Sequence, residues 1–210
     1  HLSLRRQRQM CIRDSPKAVS TSGVIGDSKI LVTGISKGSG MINPNMATML
    51  AFIGTNANIN AEMLQELIKE VTEKTFNKIS VDGETSTNDS FIIVATNKAD
   101  HKQITSKNKH YEILKDLLMD NAIELSQAII RDGEGATKFI EIVVEQGENE
   151  KDCDEIAKVI ANSSLVKTAF ACLIVHSSTS SAMGSSEGNR RSTIAFRDYH
   201  QQSVLRFRRY

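Results

Sequence analysis

The chain is expected to fold as a layered α/β protein, and three features lead there. Short apolar runs alternate with longer amphipathic segments through its middle, the pattern of strands covered by helices. The composition, 40% hydrophobic and 24% charged over 210 residues, suits a packed core and lies far from the polar bias of disordered chains. No window approaches about 18 uncharged apolar residues, so a membrane-spanning helix is excluded.

The elements follow in order from Pro16. Lys29–Ile35 (KILVTGI) is apolar and partly alternating, and the turn signal Gly26-Asp27 precedes it, so a strand is predicted there. A glycine-rich turn, Lys37-Gly38-Ser39-Gly40-Met41, leads to Met46–Ile53 (MATMLAFI). That run is apolar except for Thr48 and reads as a strand buried on both faces. Asn60 can cap a helix reaching about Lys78, with Leu64, Leu67, Ile68, Val71 and Thr75 on one face. The polar, turn-rich segment Val81–Ser90 (VDGETSTNDS) separates it from a short buried strand, Phe91–Ala95. A second long helix is predicted from about Tyr111 to Ile130 on the stripe Leu114, Leu117, Leu118, Leu125 and Ile129. A loop, Arg131–Thr137 (RDGEGAT), then leads to a strand over Lys138–Glu145. A shorter helix over Asp152–Asn162 carries Ile156, Val159 and Ile160. No internal repeat is visible.

The net charge of +1 conceals an uneven distribution. Residues 16–172 hold 15 Lys and one Arg against 22 acidic residues, a net −6, whereas 1–15 and 173–210 together hold ten Arg, no Lys and three acidic residues. Basic tails can mark a nucleic-acid or anionic-surface binder, but these lack the aromatic interleaving of single-strand binders. The acidic middle argues further against that class. Three organisational parts are therefore expected: a foreign-looking basic segment at 1–15, a central domain at 16–172, which the resemblance given below makes the partial catalytic domain, and a foreign-looking, disordered tail at 173–210. With only Cys11, Cys153 and Cys172 there is neither a disulfide framework nor a CxxC pair, and a reducing cytoplasm is the expected compartment.

Three polar segments at the ends of apolar elements are candidates for chemistry: KGSGM with NPNMATM, VDGETSTNDS, and RDGEGATK. Each also has a structural explanation. The first does not fit the phosphate-cradling GxxxxGK[ST] pattern and can be a plain turn. The second can bond to its own backbone through its Asn, Asp, Ser and Thr side chains, and the third can be a helix end followed by a glycine turn. Thr48 stands apart, because a hydroxyl in an apolar run must be hydrogen-bonded or cost roughly 1–3 kcal/mol. One answer is a satisfied strand threonine. The other is a nucleophile that attacks the Ala47 carbonyl, cleaves its own chain and becomes a new N-terminus. Its α-amine, with a pKa of about 7.7–8.0, would then act as general base.

Taken together, KGSGMINPNMATMLAFI, FNKISVDGETSTND, RDGEGATKFIEI and IANSSLVKTAF resemble the ornithine acetyltransferase family. These are the bifunctional glutamate N-acetyltransferases of the acetyl-recycling arginine pathway, often called ArgJ. Four segments in the family's order cover roughly residues 16–170. The resemblance implies an α/β sandwich of the ornithine-acetyltransferase type and self-cleavage between Ala47 and Thr48. It implies Thr48 as the nucleophile that carries the acetyl group, with Lys37 and Glu134 contacting substrate. Asp82, Thr85, Thr87, Asn88 and Asp89 match a family signature without individual roles. It implies N-acetylornithine and glutamate as substrates, no metal or organic cofactor, with acetyl-CoA left open as a donor. No nucleic-acid or membrane partner is implied, and an α₂β₂ assembly is expected of the intact protein. A related self-processing amidohydrolase or aminopeptidase, with water as acceptor, is the alternative.

The chain also departs from the family pattern. The family's oxyanion-hole dipeptide, a Thr-Gly-like pair, lies farther upstream of the nucleophile than the 47 residues present here, and Ser22-Gly23 is read as a mimic of it. Where the family has a substrate-contacting threonine ahead of an Asp-x-x-Pro-Lys region, this chain has Cys11. After Phe170 it reads ACLIVHSSTSSAM in place of the family's Asp-Pro-Asn-x-Gly-Arg motif and later substrate Asn and Thr/Ser. An incomplete sandwich with impaired catalysis is therefore expected, since oxyanion donors typically contribute about 10²–10³ in rate.

Overall fold

The computed structural model describes residues 15–38, 49–81, 83, 90–133, 136, 138–145 and 147–171, with the backbone alone at 145, 171, 193–198 and 203–207. Two compact units divide the chain, His1–Glu134 and Gly135–Tyr210.

The first unit is built on a four-stranded sheet in the order β1-β2-β3-β4, formed by Lys17–Ile25, Ser28–Lys37, Leu50–Thr55 and Ser90–Ala95. β1 and β2 make a long hairpin in register from Lys17↔Ser36 to Ile25↔Ser28, closed by Gly26-Asp27 with Gly26 at φ +61°. That left-handed backbone favours glycine, which is why the turn falls there. The turn was legible in the sequence, but β1 was not, because its outward positions mix Ala, Ser and Val and its inward ones begin with Lys17. β2 and β3 are antiparallel, whereas β3 and β4 are parallel and joined through α1, Ala61–Lys74. The second helix, α2, spans Lys109–Arg131.

Both helices cover the same face of the sheet. Their buried residues, Leu67, Val71, Leu114, Leu118, Leu125 and Ile129 among them, join Ile30, Val32, Ala51, Ile53, Phe91 and Ile93 in one core. Two expectations are corrected here. The runs around β3 and β4 are buried on one face only: Ile53 is 1% exposed, but Leu50, Phe52, Ile92 and Val94 are 40–55% exposed. The parallel β3–β4 pair needs only one crossover helix, and the described helices leave the other face uncovered. The strand also begins at Leu50 rather than Met46, and residues 46–48 lie outside the described residues.

Asn60 caps α1 as expected, its side chain accepting the Met63 N–H at 2.9 Å. The regular helix stops at Lys74, and a short 3₁₀ turn over Phe76–Lys78 completes the segment. Thr72 and Thr75 each bond back to a carbonyl four residues earlier (2.6 Å), so both hydroxyls are satisfied inside the core. α2 begins at Lys109 because Asn108 accepts the N–H groups of His110 and Tyr111. Lys107 bridges Glu66 and Glu70 of α1, and the Tyr111 hydroxyl also donates to Glu70 (3.2 Å), so the two helices are joined at that end by polar groups.

The second unit contains β5 (Ile140–Glu145), β6 (Thr193–Asp198) and β7 (Ser203–Phe207) in one antiparallel sheet, with α3 (Glu150–Asn162) packed on β5 and α4 (Ser164–Ala171) following. β6 and β7 lie in the segment expected to be disordered; β6 pairs with β5, and β7 pairs in turn with β6. His176–Asn189 lies outside the described residues. α3 starts earlier than expected because Asn149 accepts the Asp152 N–H. Of its expected apolar stripe, Ile156 and Ile160 are half-buried while Val159 is 72% exposed.

Candidate active site

One end of the first sheet gathers the anchors of all the polar segments singled out from the sequence. Lys37 is the last residue of β2 and is exposed; its register partner is Leu50, two residues beyond Thr48. Leu50 in turn pairs with Ser90, which directly follows the VDGETSTND signature, and the Ser90 N–H donates to the Met49 carbonyl at 3.1 Å. On the other side of β2, Lys17 is the register partner of Ser36. Its ammonium reaches Asp132 at the end of α2, two residues before Glu134, at 2.6 Å. Residues from 13 to 115 positions apart in the chain, flanking those segments, thus lie side by side.

The reason lies in the strand directions. β2 runs toward this end and β1, β3 and β4 run away from it, so the end of β2 and the starts of the other three strands fall together. α2 lies across β1 and β2 on the buried face and delivers its C-terminus to the same place. Asp132 receives one further contact there, the Ser15 N–H donating to its Oδ2 at 3.0 Å, and Lys17 Nζ in turn donates to the Ser15 carbonyl at 3.3 Å. Burial alone would raise the Asp132 carboxyl. The Lys17 hydrogen bond and charge, with the bonds from Ser15, outweigh it and hold the carboxyl below its ordinary value.

Of the residues the sequence proposes, the structure describes Lys37 and places it at this end. Ala47, Thr48, Glu134, Asp82, Thr85, Thr87, Asn88 and Asp89 lie outside the described residues. Ser22 and Gly23 stand within β1, paired with Leu31 and Ile30, well along the hairpin from Lys37. Sequence reasoning missed Lys17, Ser36 and Asp132. Asp132 was within the RDGEG segment already quoted, whereas Lys17 became visible only once β1 did. Ser36 presents a buried hydroxyl with no hydrogen-bond partner among the described residues, beside the Lys17–Asp132 pair in register. Among the described residues no three His, Cys, Asp or Glu side chains cluster closely enough to hold a metal ion, and no helix is long and apolar enough to cross a membrane.

Fold and site together define a class: a layered α/β protein in which the flanks of its polar segments meet at one end of a mixed sheet, a rigid scaffold of the kind that presents reactive side chains. Comparison with known proteins narrows it. The profile of the ArgJ family matches residues 10–173. The chain is 54% identical over 160 residues to the arginine biosynthesis bifunctional protein ArgJ of Neisseria gonorrhoeae, covering 74% of this chain and 39% of the relative. It is 52% identical over 157 residues to that of Neisseria meningitidis, with the same two coverages. The crystal structure of arginine biosynthesis bifunctional protein ArgJ from Bacillus halodurans is similar at TM-score 0.54 and 37% identity, over 58% of this chain and 57% of that one.

The chain belongs to the ArgJ family. It spans about 39% of the length of the Neisseria relatives.

Proposed function

We propose that this chain carries the nucleophile-bearing part of an acetyltransferase of arginine biosynthesis, which moves an acetyl group from N2-acetylornithine to glutamate. The observation that carries the reading is the convergence at one sheet end of Lys37 with the flanks of the Thr48, VDGETSTND and RDGEG segments, in a chain of the ArgJ family.

The chemistry proceeds in balanced steps. The Thr48 hydroxyl adds to the Ala47 carbonyl, the peptide bond breaks, and an ester joins the two. Water hydrolyses that ester, leaving Ala47 as a carboxylate and Thr48 with a free α-amine. That amine takes the hydroxyl proton as Thr48 attacks the acetyl carbonyl of N2-acetylornithine, and ornithine departs with its α-amine protonated. Glutamate's amine then attacks the acetyl-threonine ester, giving N-acetylglutamate and restoring the hydroxyl. One nucleophile thereby divides a difficult amide exchange into two steps, and ping-pong kinetics follow. The Lys37 ammonium suits the substrate carboxylate and the Glu134 carboxylate its ammonium, each through a charge-assisted hydrogen bond. The acetyl group travels as an ester, so the reading needs neither a metal nor an organic cofactor; acetyl-CoA is a further donor to be tried. An α₂β₂ assembly of cleaved halves and a cytoplasmic location belong to the same proposal for the whole protein.

The test is intact mass of the chain beside Thr48→Ala, followed by product analysis with and without glutamate. Two fragments split at Ala47–Thr48 in the first and none in the second are expected. An uncut parent chain, or cleavage that persists in Thr48→Ala, would overturn the nucleophile assignment. Acetate released at the same rate whether or not glutamate is present would favour an amidohydrolase instead.

A further inference from the structure

We propose that the uncovered face of the first sheet docks a second copy of this chain, sheet against sheet, about a two-fold axis that crosses β3 over Ile53. The association does not depend on the acetyl-transfer chemistry above.

Alternation along the strands sends one set of residues into the core and the other outward, and no described helix covers the outward set. Ile35, Phe52 and Ile92 are register partners across β2, β3 and β4 and form one row, each 42–54% exposed. Leu50 and Val94 flank that row along β3 and β4, at 40% and 55% exposed. Single exposed apolar residues are ordinary, whereas a contiguous patch marks an interaction surface. The hydroxyls of Ser20 and Thr33, which lie on the same face, bond each other across β1 and β2 at 2.9 Å, so each keeps a partner when covered.

The shape of the face selects its occupant. The next outward row joins Thr33, Gly54 and Val94 in register, and a Cβ on Gly54 would find only the Thr33 carbonyl within 4 Å, at 3.9 Å. A bulky residue and an open position thus sit two residues apart on one strand, on either side of Ile53. Such a surface is self-complementary under a two-fold operation, as an isologous contact requires. Turning a second copy over across β3 at Ile53 lays each Phe52 on the other's Gly54, Ile92 on Val94, and Ile35 on Thr33. The same operation sets Lys37 over Leu31 rather than over another lysine. Its stem there lies on apolar surface while its ammonium reaches water.

The size of the face sets the strength. Exposed outward positions number four, five, three and two on β1 to β4. At roughly 32 Å² each, from a strand spacing of about 4.8 Å and a two-residue repeat of about 6.6 Å, the footprint is about 450 Å² per copy. Stable interfaces bury about 800 Å² per partner, so a weak dimer with a micromolar dissociation constant follows.

Sedimentation equilibrium of the 210-residue chain from about 1 to about 300 μM spans that range, with circular dichroism recording that each variant is folded. The parent is expected to show a monomer–dimer equilibrium, and Phe52→Lys to remain monomeric throughout. Gly54→Val is expected to weaken the dimer at least tenfold by filling the open position, although mere stickiness would reward the added apolar surface. Val159→Lys, at a 72% exposed apolar position of the second unit, should leave the constant unchanged. A monomeric parent would leave the face to another occupant, such as a segment of the longer relatives, and overturn the inference. So would a Phe52→Lys dimer within threefold of the parent, a Gly54→Val dimer as tight as the parent's, or loss of the dimer in Val159→Lys. None of these results touches the cleavage and acetyl transfer assigned to Thr48.

Discussion

Gly34→Ala is the substitution for which simple rules and this structure disagree most. Gly34 lies within β2, and a mid-strand glycine is ordinarily about 0.5–1 kcal/mol less favourable than alanine, so the change should stabilise the chain. Here α2 presses on the sheet at that position. A methyl group on Gly34 would meet the Oδ1 of Asn121, would lie 2.7 Å from Leu125 Cδ1, and would lie 3.0 Å from Ile53 Cγ1. Asn121 cannot simply swing away, because its Nδ2 donates to the carbonyls of Val19 (3.2 Å) and Val32 (3.4 Å), on adjacent strands. Its Oδ1 is buried with no hydrogen-bond partner among the described residues, and a methyl group against it supplies none.

Overpacking of this kind costs about 1–3 kcal/mol, which exceeds the conformational gain. A net loss of about 1–2 kcal/mol follows, or roughly 2–8 °C in midpoint for a chain of this size. The control is Gly54→Ala on the exposed face of β3, where the new methyl group would have only the Thr33 carbonyl at 3.9 Å. That variant should be neutral or gain up to about 1 kcal/mol. Urea unfolding followed by far-ultraviolet circular dichroism compares the two midpoints. A Gly34→Ala chain at least as stable as Gly54→Ala would refute the claim that helix and sheet are in close contact there.

Asn60→Ala and Asn108→Ala each remove a side-chain cap, and each should lower stability by about 1 kcal/mol in the same urea titration. At low pH, the Asp132 carboxyl held below its ordinary value contributes stability that is present above the unfolded carboxylate range and lost as pH falls through the folded value. Midpoints of Asp132→Asn and the parent should therefore converge as pH is lowered from about 6 to below about 4, the ordinary carboxylate range. At high pH the direction reverses: burial, then Glu70's charge and hydrogen bond, push the Tyr111 hydroxyl up to about 12. Its contribution is complete below the unfolded value of about 10 and is lost as pH climbs toward the folded one. Tyr111→Phe should accordingly show a shallower alkaline decline in midpoint; equal slopes would contradict the Glu70 contact.

Much of this architecture can be read along the chain, and where it cannot, the reasons are specific. The helices over 61–74 and 109–131 were legible because apolar residues recur at helical spacing, although Met63 and Tyr111 were missed as core and Asn121 gave no sign of burial. β1 escaped notice because its outward positions are Ala, Ser and Val and its inward ones include Lys17, so neither face reads as a clean stripe. The three polar segments were recognisable individually as loops, and together with IANSSLVKTAF as a family pattern.

Local order dictated the two long helices, the β1–β2 turn and the strands over 28–37, 50–55 and 90–95, since periodicity, caps and turn residues act over a few positions. The pairing of β1 with β2, the one-sided covering of the sheet and the meeting of Lys17 with Asp132 were settled in three dimensions. Each joins groups far apart in the chain through packing and ladder hydrogen bonds, and no short-range pattern encodes that. A lysine beside a proline looks like any solvated charge until the helix end that pairs with it, 115 residues away, is laid against it.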